Sequence, residues 1–177
     1  LNELFGKKLD AEALCAVGDK IGADVPICIK GGTLYSITSG DMIAAECDTN
    51  CVFVCIYPDF TLSTAEAYTK YDENPTEINP HYADFVSSIV CGSLSEGAGF
   101  ISNVFTEIYH DSRIEEMKND LLESGAVISE MTGSGSVVFG VFESEETAAY
   151  AKKILSGKYP HVFTTRPVNC GVYVLER

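Results

Sequence analysis

Basic residues are scarce in this sequence: 12 Lys and Arg stand against 26 Asp and Glu in 177 residues, a formal charge of −14. Such a balance repels phosphate backbones, so nucleic acid is not expected as a partner. Long apolar runs are also missing. Val52–Tyr57 and Val137–Phe142 are among the longest, and both fall far short of a membrane span, so no membrane partner is expected. No basic-then-apolar leader opens the sequence, which gives no sign of a signal peptide. There is no internal repeat, no low-complexity tract, no C-x-x-C pair, no G-x-x-x-x-G-K-[ST] and no G-x-G-x-x-G. What is present suits a packed protein: 46% hydrophobic and 21% charged residues, enough chain for one full domain or a small one plus part of another.

Seven cysteines, an odd number, are scattered at 15, 28, 47, 51, 55, 91 and 170. Most sit inside apolar runs, as in Ile27-Cys28-Ile29 and Val54-Cys55-Ile56, and read as buried thiols of a cytoplasmic, reducing compartment. Cys47, Cys51 and Cys55 spread along an extended segment with no histidine near, so no metal site is expected. His81, His110 and His161 lie in separate segments and read as surface or cap residues.

Leu1, Leu4 and Phe5 have helical spacing and Gly6 is placed to end a helix, so the opening reads as the tail of a helix whose beginning is absent. Asp10 caps a second helix over Ala11–Ile21. Short strands are expected at Ile27–Lys30, Thr33–Ile37 and Met42–Glu46, and Asp48-Thr49-Asn50 is the expected joint. Val52–Tyr57, apolar throughout, reads as a strand buried on both faces. Ser63 and Glu66 have reciprocal capping spacing for a helix to about Lys70, with a polar loop over Asp72–Asn79. Helical patterns cover His81–Val90 and Gly97–Tyr109, and Ser112 caps another that stops at Gly125. Strands Val127–Met131 and Val137–Phe142, a helix Ser144–Leu155, and strands Val162–Thr165 and Val172–Leu175 complete the order. The class is α+β, with a small region over 1–48 and a ferredoxin-like domain over 49–177, an antiparallel sheet with helices on one face.

Two stretches carry chemistry. In Ile21-Gly22-Ala23-Asp24-Val25-Pro26 the aspartate stands between a helix-ending glycine and a proline that opens a strand and holds Val25 extended. The hexapeptide by itself reads more simply as a turn aspartate bonding nearby amides. In the second, Met131-Thr132-Gly133-Ser134-Gly135-Ser136-Val137, two glycines let backbone N–H groups turn toward one concavity, and the hydroxyls of Thr132, Ser134 and Ser136 add donors. Such a nest suits phosphate oxygens. A tight hairpin would also use Gly-Ser-Gly, so composition leaves both open.

Taken together, GADVP at 22–26 with Gly31-Gly32-Thr33, STAEAY at 63–68 and MTGSGSVVFGVF at 131–142 resemble the galactokinase, homoserine kinase, mevalonate kinase and phosphomevalonate kinase superfamily (GHMP kinases). Within it they are most similar to the branch acting on 4-diphosphocytidyl-2-C-methyl-D-erythritol in non-mevalonate isoprenoid synthesis. The resemblance covers essentially the whole chain. It implies that Asp24 is the catalytic aspartate, taking the proton from the substrate hydroxyl as it attacks the γ-phosphate of ATP. It implies that Thr132, Gly133, Ser134, Gly135 and Ser136 line the phosphate cleft, that ATP with Mg2+ is used, and that the acceptor is a small molecule.

Ser102-Asn103-Val104-Phe105 departs from that branch's Asn-Asp-Leu-Glu. Its nucleotide loop, of the kind PxxxGLGGGSSD, and its lysine are not among the 177 residues, so the chain is expected to be the C-terminal portion of a kinase, inactive alone. Residues 1–48 would then need cover, from an intermolecular contact or from the later domain. Two other functions remain open: a stand-alone ligand-binding or regulatory module, and a kinase of the same superfamily for homoserine or mevalonate.

Overall fold

A computed structural model describes residues 2–36, 43–45, 50–75, 81–91 and 94–173, with the Tyr82 side chain left aside. The chain divides into two compact units, Leu1–Cys47 with Pro167–Arg177, and Asp48–Arg166. Residues from Pro167 on thus lie with the first unit, although the sequence pattern grouped them with the second.

The first unit begins with a turn in which Lys7 N–H reaches Asn2 O and Gly6 N–H reaches Glu3 O, with Gly6 at φ 84°. That pair of bonds is how helices close on a left-handed glycine. Helix α1 (Ala11–Asp19) follows, and the Asp10 carboxylate accepts from Ala13 N–H as expected of its cap. The segment expected as strand Ile27–Lys30 is instead helix α2 (Val25–Lys30). Pro26 is tolerated there because the first turn of a helix has no partner for its N–H groups, and so short an apolar run does not distinguish strand from helix. Gly18 lets α2 approach α1: a Cβ on it would lie 2.8 Å from Val25 Cγ1. Strands β1 (Leu34–Tyr35) and β2 (Ile43–Ala44) pair antiparallel. The remainders of those two expected strands, at 37 and at 42 and 46, lie outside the described residues. So do residues 174–175 of the expected last strand; its described part, 172–173, is not a strand.

The second unit holds strands β3 (Val52–Tyr57), β4 (Ile128–Met131), β5 (Val138–Phe142) and β6 (His161–Thr165) in the order β4-β5-β3-β6, every neighbour antiparallel. Helices α3 (Thr64–Glu73), α4 (Tyr82–Val90), α5 (Leu94–Gly97), α6 (Val104–Tyr109) and α7 (Ser112–Glu123) link β3 to β4, and α8 (Glu145–Leu155) links β5 to β6. This is the ferredoxin-like arrangement the strand and helix order implied.

Strand alternation sorts the core. Val52, Val54, Ile56, Val138 and Phe142 pack with Ile114, Met117 and Leu121 of α7 and Ala148, Ala151 and Leu155 of α8. The alternate residues Phe53, Ile128, Phe139 and Val141 meet Phe85 of α4, Leu94 of α5 and Ala98. Beyond the one helical layer expected, short helices therefore cover part of the other face, as the all-apolar β3 foreshadowed. At Gly140 a Cβ would lie 3.0 Å from Ala126 Cβ and from Leu121 Cδ2, so the bare backbone there lets α7 sit close to the sheet.

Ser63, Ser144 and Asp111 each accept a first-turn N–H of α3, α8 and α7. The α7 cap is thus Asp111 and not Ser112, since the chain is extended at 111 and already helical at 112. Helix α3 continues to Glu73, into the expected loop, whose residues 76–79 lie outside the described residues. The continuous helix expected over Gly97–Tyr109 is broken: a 3-10 turn spans Ala98–Phe100, and Ile101 and Asn103 are extended before α6. Asparagine hydrogen-bonds the backbone locally and favours caps over helix interiors. Of the described cysteines Cys51 and Cys55 are buried, and burial pushes the Cys55 thiol up, but Cys28, Cys91 and Cys170 are exposed; Cys47 lies outside the described residues. Apolar neighbours in sequence do not ensure burial where a helix is short. His81 and His110 stand at helix caps and His161 on β6, all exposed. Among the described residues no helix is long and apolar enough to cross a membrane.

Candidate functional site

Asp24 occupies the N-cap position of α2 with φ −84° and ψ −13°. Its side chain makes no capping hydrogen bond and is exposed. The carboxylate is thus not engaged by nearby amides, and it leaves the backbone at a bend fixed by α2 and by Pro26, which is buried.

The five residues Thr132–Ser136 come together in the turn that joins β4 to β5, closed by Thr132 N–H on Val137 O at 2.9 Å and Gly135 N–H on Thr132 O at 3.1 Å. Gly133 and Gly135 have φ 55° and 93°, and a Cβ on Gly135 would lie 2.7 Å from Met131 Sδ and 2.8 Å from Leu62 Cδ1. Both positions need glycine. Among the described residues the N–H groups of Gly133 and Ser134 have no acceptor.

The hydroxyls differ from one another. Ser136 is 6% exposed, and its hydroxyl donates inward to Phe60 O at 2.7 Å, so it is not the open donor expected. Ser134 Oγ lies 2.8 Å from Thr64 Oγ1 at the start of α3. Thr132 is exposed.

A residue outside the expected set holds this turn. Asn103 Nδ2 donates to Met131 O at 2.7 Å and to Gly133 O at 2.8 Å, while its Oδ1 accepts from Phe105 N–H at 2.9 Å as the cap of α6. Helix α6 is fixed at two further points: Thr106 Oγ1 donates to Glu130 Oε1 at 2.8 Å, and Tyr109 OH donates to Ser63 O at 2.9 Å. Glu130 is 7% exposed, and its Oε2 meets Lys118 Nζ at 3.2 Å. A cleft of about 550 Å³ opens beside the turn, lined by residues that include Tyr71, Ile101, Asn103, Gly133 and Phe139. The Asn103 contacts join residues 28 and 30 positions apart, and local spacing carries no sign of them.

At the start of α7, Arg113 binds Asp111 at 2.6 and 3.0 Å and lies 3.7 Å over the Phe60 ring. Its guanidinium holds the Asp111 carboxyl below the usual carboxylate range. Lys70 pairs with Glu66 at 2.9 Å and lies over the Tyr109 ring.

Comparisons with known proteins agree with this architecture. Residues 103–161 match the family described as GHMP kinases C terminal. A 4-diphosphocytidyl-2-C-methyl-D-erythritol kinase of Caldanaerobacter subterraneus is 31% identical over 99% of this chain, which covers 62% of that protein. One of Clostridium perfringens is 33% identical over 96% of this chain and 60% of its own length. The chain thus spans about three fifths of these relatives. In fold, a homoserine kinase from Cytophaga hutchinsonii superposes with a TM-score of 0.80 at 17% identity, covering 96% of this chain and 62% of that one. A crystal structure of 4-(cytidine 5'-diphospho)-2C-methyl-D-erythritol kinase gives 0.68 at 18%, covering 93% and 59%. Residues 103–161 of the four-stranded unit thus match the C-terminal family of the GHMP kinases, and the chain shares its fold with solved kinases of that kind.

Proposed function

We propose that the protein containing this chain transfers the γ-phosphate of ATP to the 2-hydroxyl of 4-diphosphocytidyl-2-C-methyl-D-erythritol, in the cytoplasm, on the non-mevalonate route to isoprenoids. The observation that carries this reading is the Thr132–Ser136 turn, whose Gly133 and Ser134 N–H groups have no acceptor among the described residues. The substrate is taken from the names borne by the relatives.

In this reading the two N–H groups and the Thr132 hydroxyl donate to phosphate oxygens and disperse charge as the phosphoryl group moves. Asp24, exposed and without a cap bond, accepts the proton of the attacking hydroxyl. Among the described residues no cluster of three or more His, Cys, Asp or Glu could hold a metal ion, and Glu130 is tied to Lys118 and Thr106. Mg2+ would be held mainly by the phosphate oxygens of the nucleotide and by water, with one or two carboxylates at most, and no step is assigned to it.

The test is coupled ADP formation by the full-length protein with the diphosphocytidyl alcohol, homoserine and mevalonate offered in turn. Turnover of the first alone is expected, and Asp24→Asn should lower kcat by about 10²–10⁴-fold, the usual range for a general base. The 177-residue polypeptide alone should form no ADP, since it contains no glycine-rich nucleotide loop of the family's kind. Turnover of homoserine or mevalonate instead would reassign the substrate. Binding of nucleotide without turnover of any alcohol would favour a regulatory module.

A further inference from the structure

We infer that Asn103 is the positioning residue of the phosphate turn: its carboxamide fixes the Gly133–Ser134 peptide so that the Ser134 N–H faces outward, ready for an anion. The inference rests on the phosphate role proposed for that turn, and deepens it by naming what aims the donor.

In a trans peptide the C=O and N–H lie in one plane and point in opposite directions. The Gly133 carbonyl is drawn to Asn103 Nδ2 at 2.8 Å, so the N–H of the same peptide, that of Ser134, points away from Asn103. That N–H is one of the two without an acceptor among the described residues. The second Nδ2 hydrogen holds Met131 O at 2.7 Å, at the other end of the rise into the turn. A left-handed glycine costs its peptide plane little to rotate, and Gly133 is such a residue, so an external anchor decides the plane.

No other side chain of this size can do the same. The site asks for two donors toward two carbonyl oxygens and one acceptor toward Phe105 N–H, the whole capacity of a primary amide in this geometry. Aspartate keeps the shape and the cap but would set a carboxylate against both carbonyls. The anchor is itself fixed. A six-residue helix has little stability of its own, and α6 takes its position from Thr106 on Glu130, Tyr109 on Ser63 and the Tyr68–Phe105 ring contact at 5.1 Å.

The experiment compares Asn103→Asp and Asn103→Ala with wild type in the full-length protein. Hydrogen exchange of the 131–137 segment without ligand is read beside steady-state kinetics. The Asp variant should raise the KM for ATP about ten-fold, as expected for a misaimed donor, and leave the KM for the alcohol within about two-fold. The exchange of the turn should rise while that of β3 and α7 stays as in wild type. A fall in kcat with both KM values unchanged, or turn exchange equal to wild type in both variants, would overturn the inference. If the wild-type protein turns over no alcohol, the proposed function fails alone, and the exchange arm still decides whether Asn103 holds the turn.

Discussion

The two units treat their apolar residues differently. In the four-stranded unit Val54, Ile56, Leu121, Val138 and Phe142 are fully buried, whereas in the other Leu4, Phe5, Val17, Ile21, Val172 and Tyr173 are more than half exposed. The difference is one of closure. A sheet with α7 and α8 across one face and α4 and α5 over part of the other completes its own core. Among the described residues of the other unit, two helices and a two-residue strand pair leave few positions buried, Gly18 and Pro26 among them. Asp24, proposed as the catalytic carboxylate, stands on the first unit, while the Thr132–Ser136 turn joins two strands of the second.

Substitutions can break or sharpen this contrast. The largest effect is expected at Phe142: replacement by Ala should cost about 3–5 kcal/mol of unfolding free energy, while Leu4→Ala should stay within about 0.5 kcal/mol. Chemical denaturation of both variants would test it, and equal losses would mean that the first unit is held together as tightly as the second. Gly140→Ala comes next, at about 1–3 kcal/mol, because Ala126 Cβ, fixed to backbone, leaves the new methyl no room. A stabilised Gly140→Ala would show that α7 stands farther from the sheet.

Asp111→Asn should give the smallest change, under about 1 kcal/mol, since an amide oxygen still caps α7 but no longer pairs with Arg113. The sign with pH follows from the lowered carboxyl. Its stabilisation is complete above the ordinary value of 3.8 and disappears as pH falls through the lower folded value. Wild type and Asp111→Asn should therefore converge in stability only in acid below that point. Equal stability of the two at neutral pH would remove the pair from the account of α7.

Much of the second unit is legible in the sequence because its signals are local. Strands β3, β4 and β5 are apolar runs between turns, and the caps at Ser63 and Ser144 use spacings set by one helical turn. The resemblance to GHMP kinases likewise rests on contiguous motifs. Less local facts leave no such signal. Helix α2 has the sequence of a strand because Pro26 suits either kind of beginning, and Val25 joins the helix although proline disfavours that. The break before α6 was hidden by an apolar face that continues through Phe100, Ile101, Val104 and Phe105. In the site, the turn itself was legible from Gly-Ser-Gly, but the inward hydroxyl of Ser136 depends on Phe60, 76 residues away. Asn103 and the buried Glu130 also take their meaning from partners distant in sequence.

Because α6 makes contacts at both its ends, it works as a spacer of fixed length. One residue inserted between Asn103 and Tyr109 would turn the two side chains about 100° out of phase, so that only one could keep its partner. Among homologues, deletions and insertions should avoid this interval.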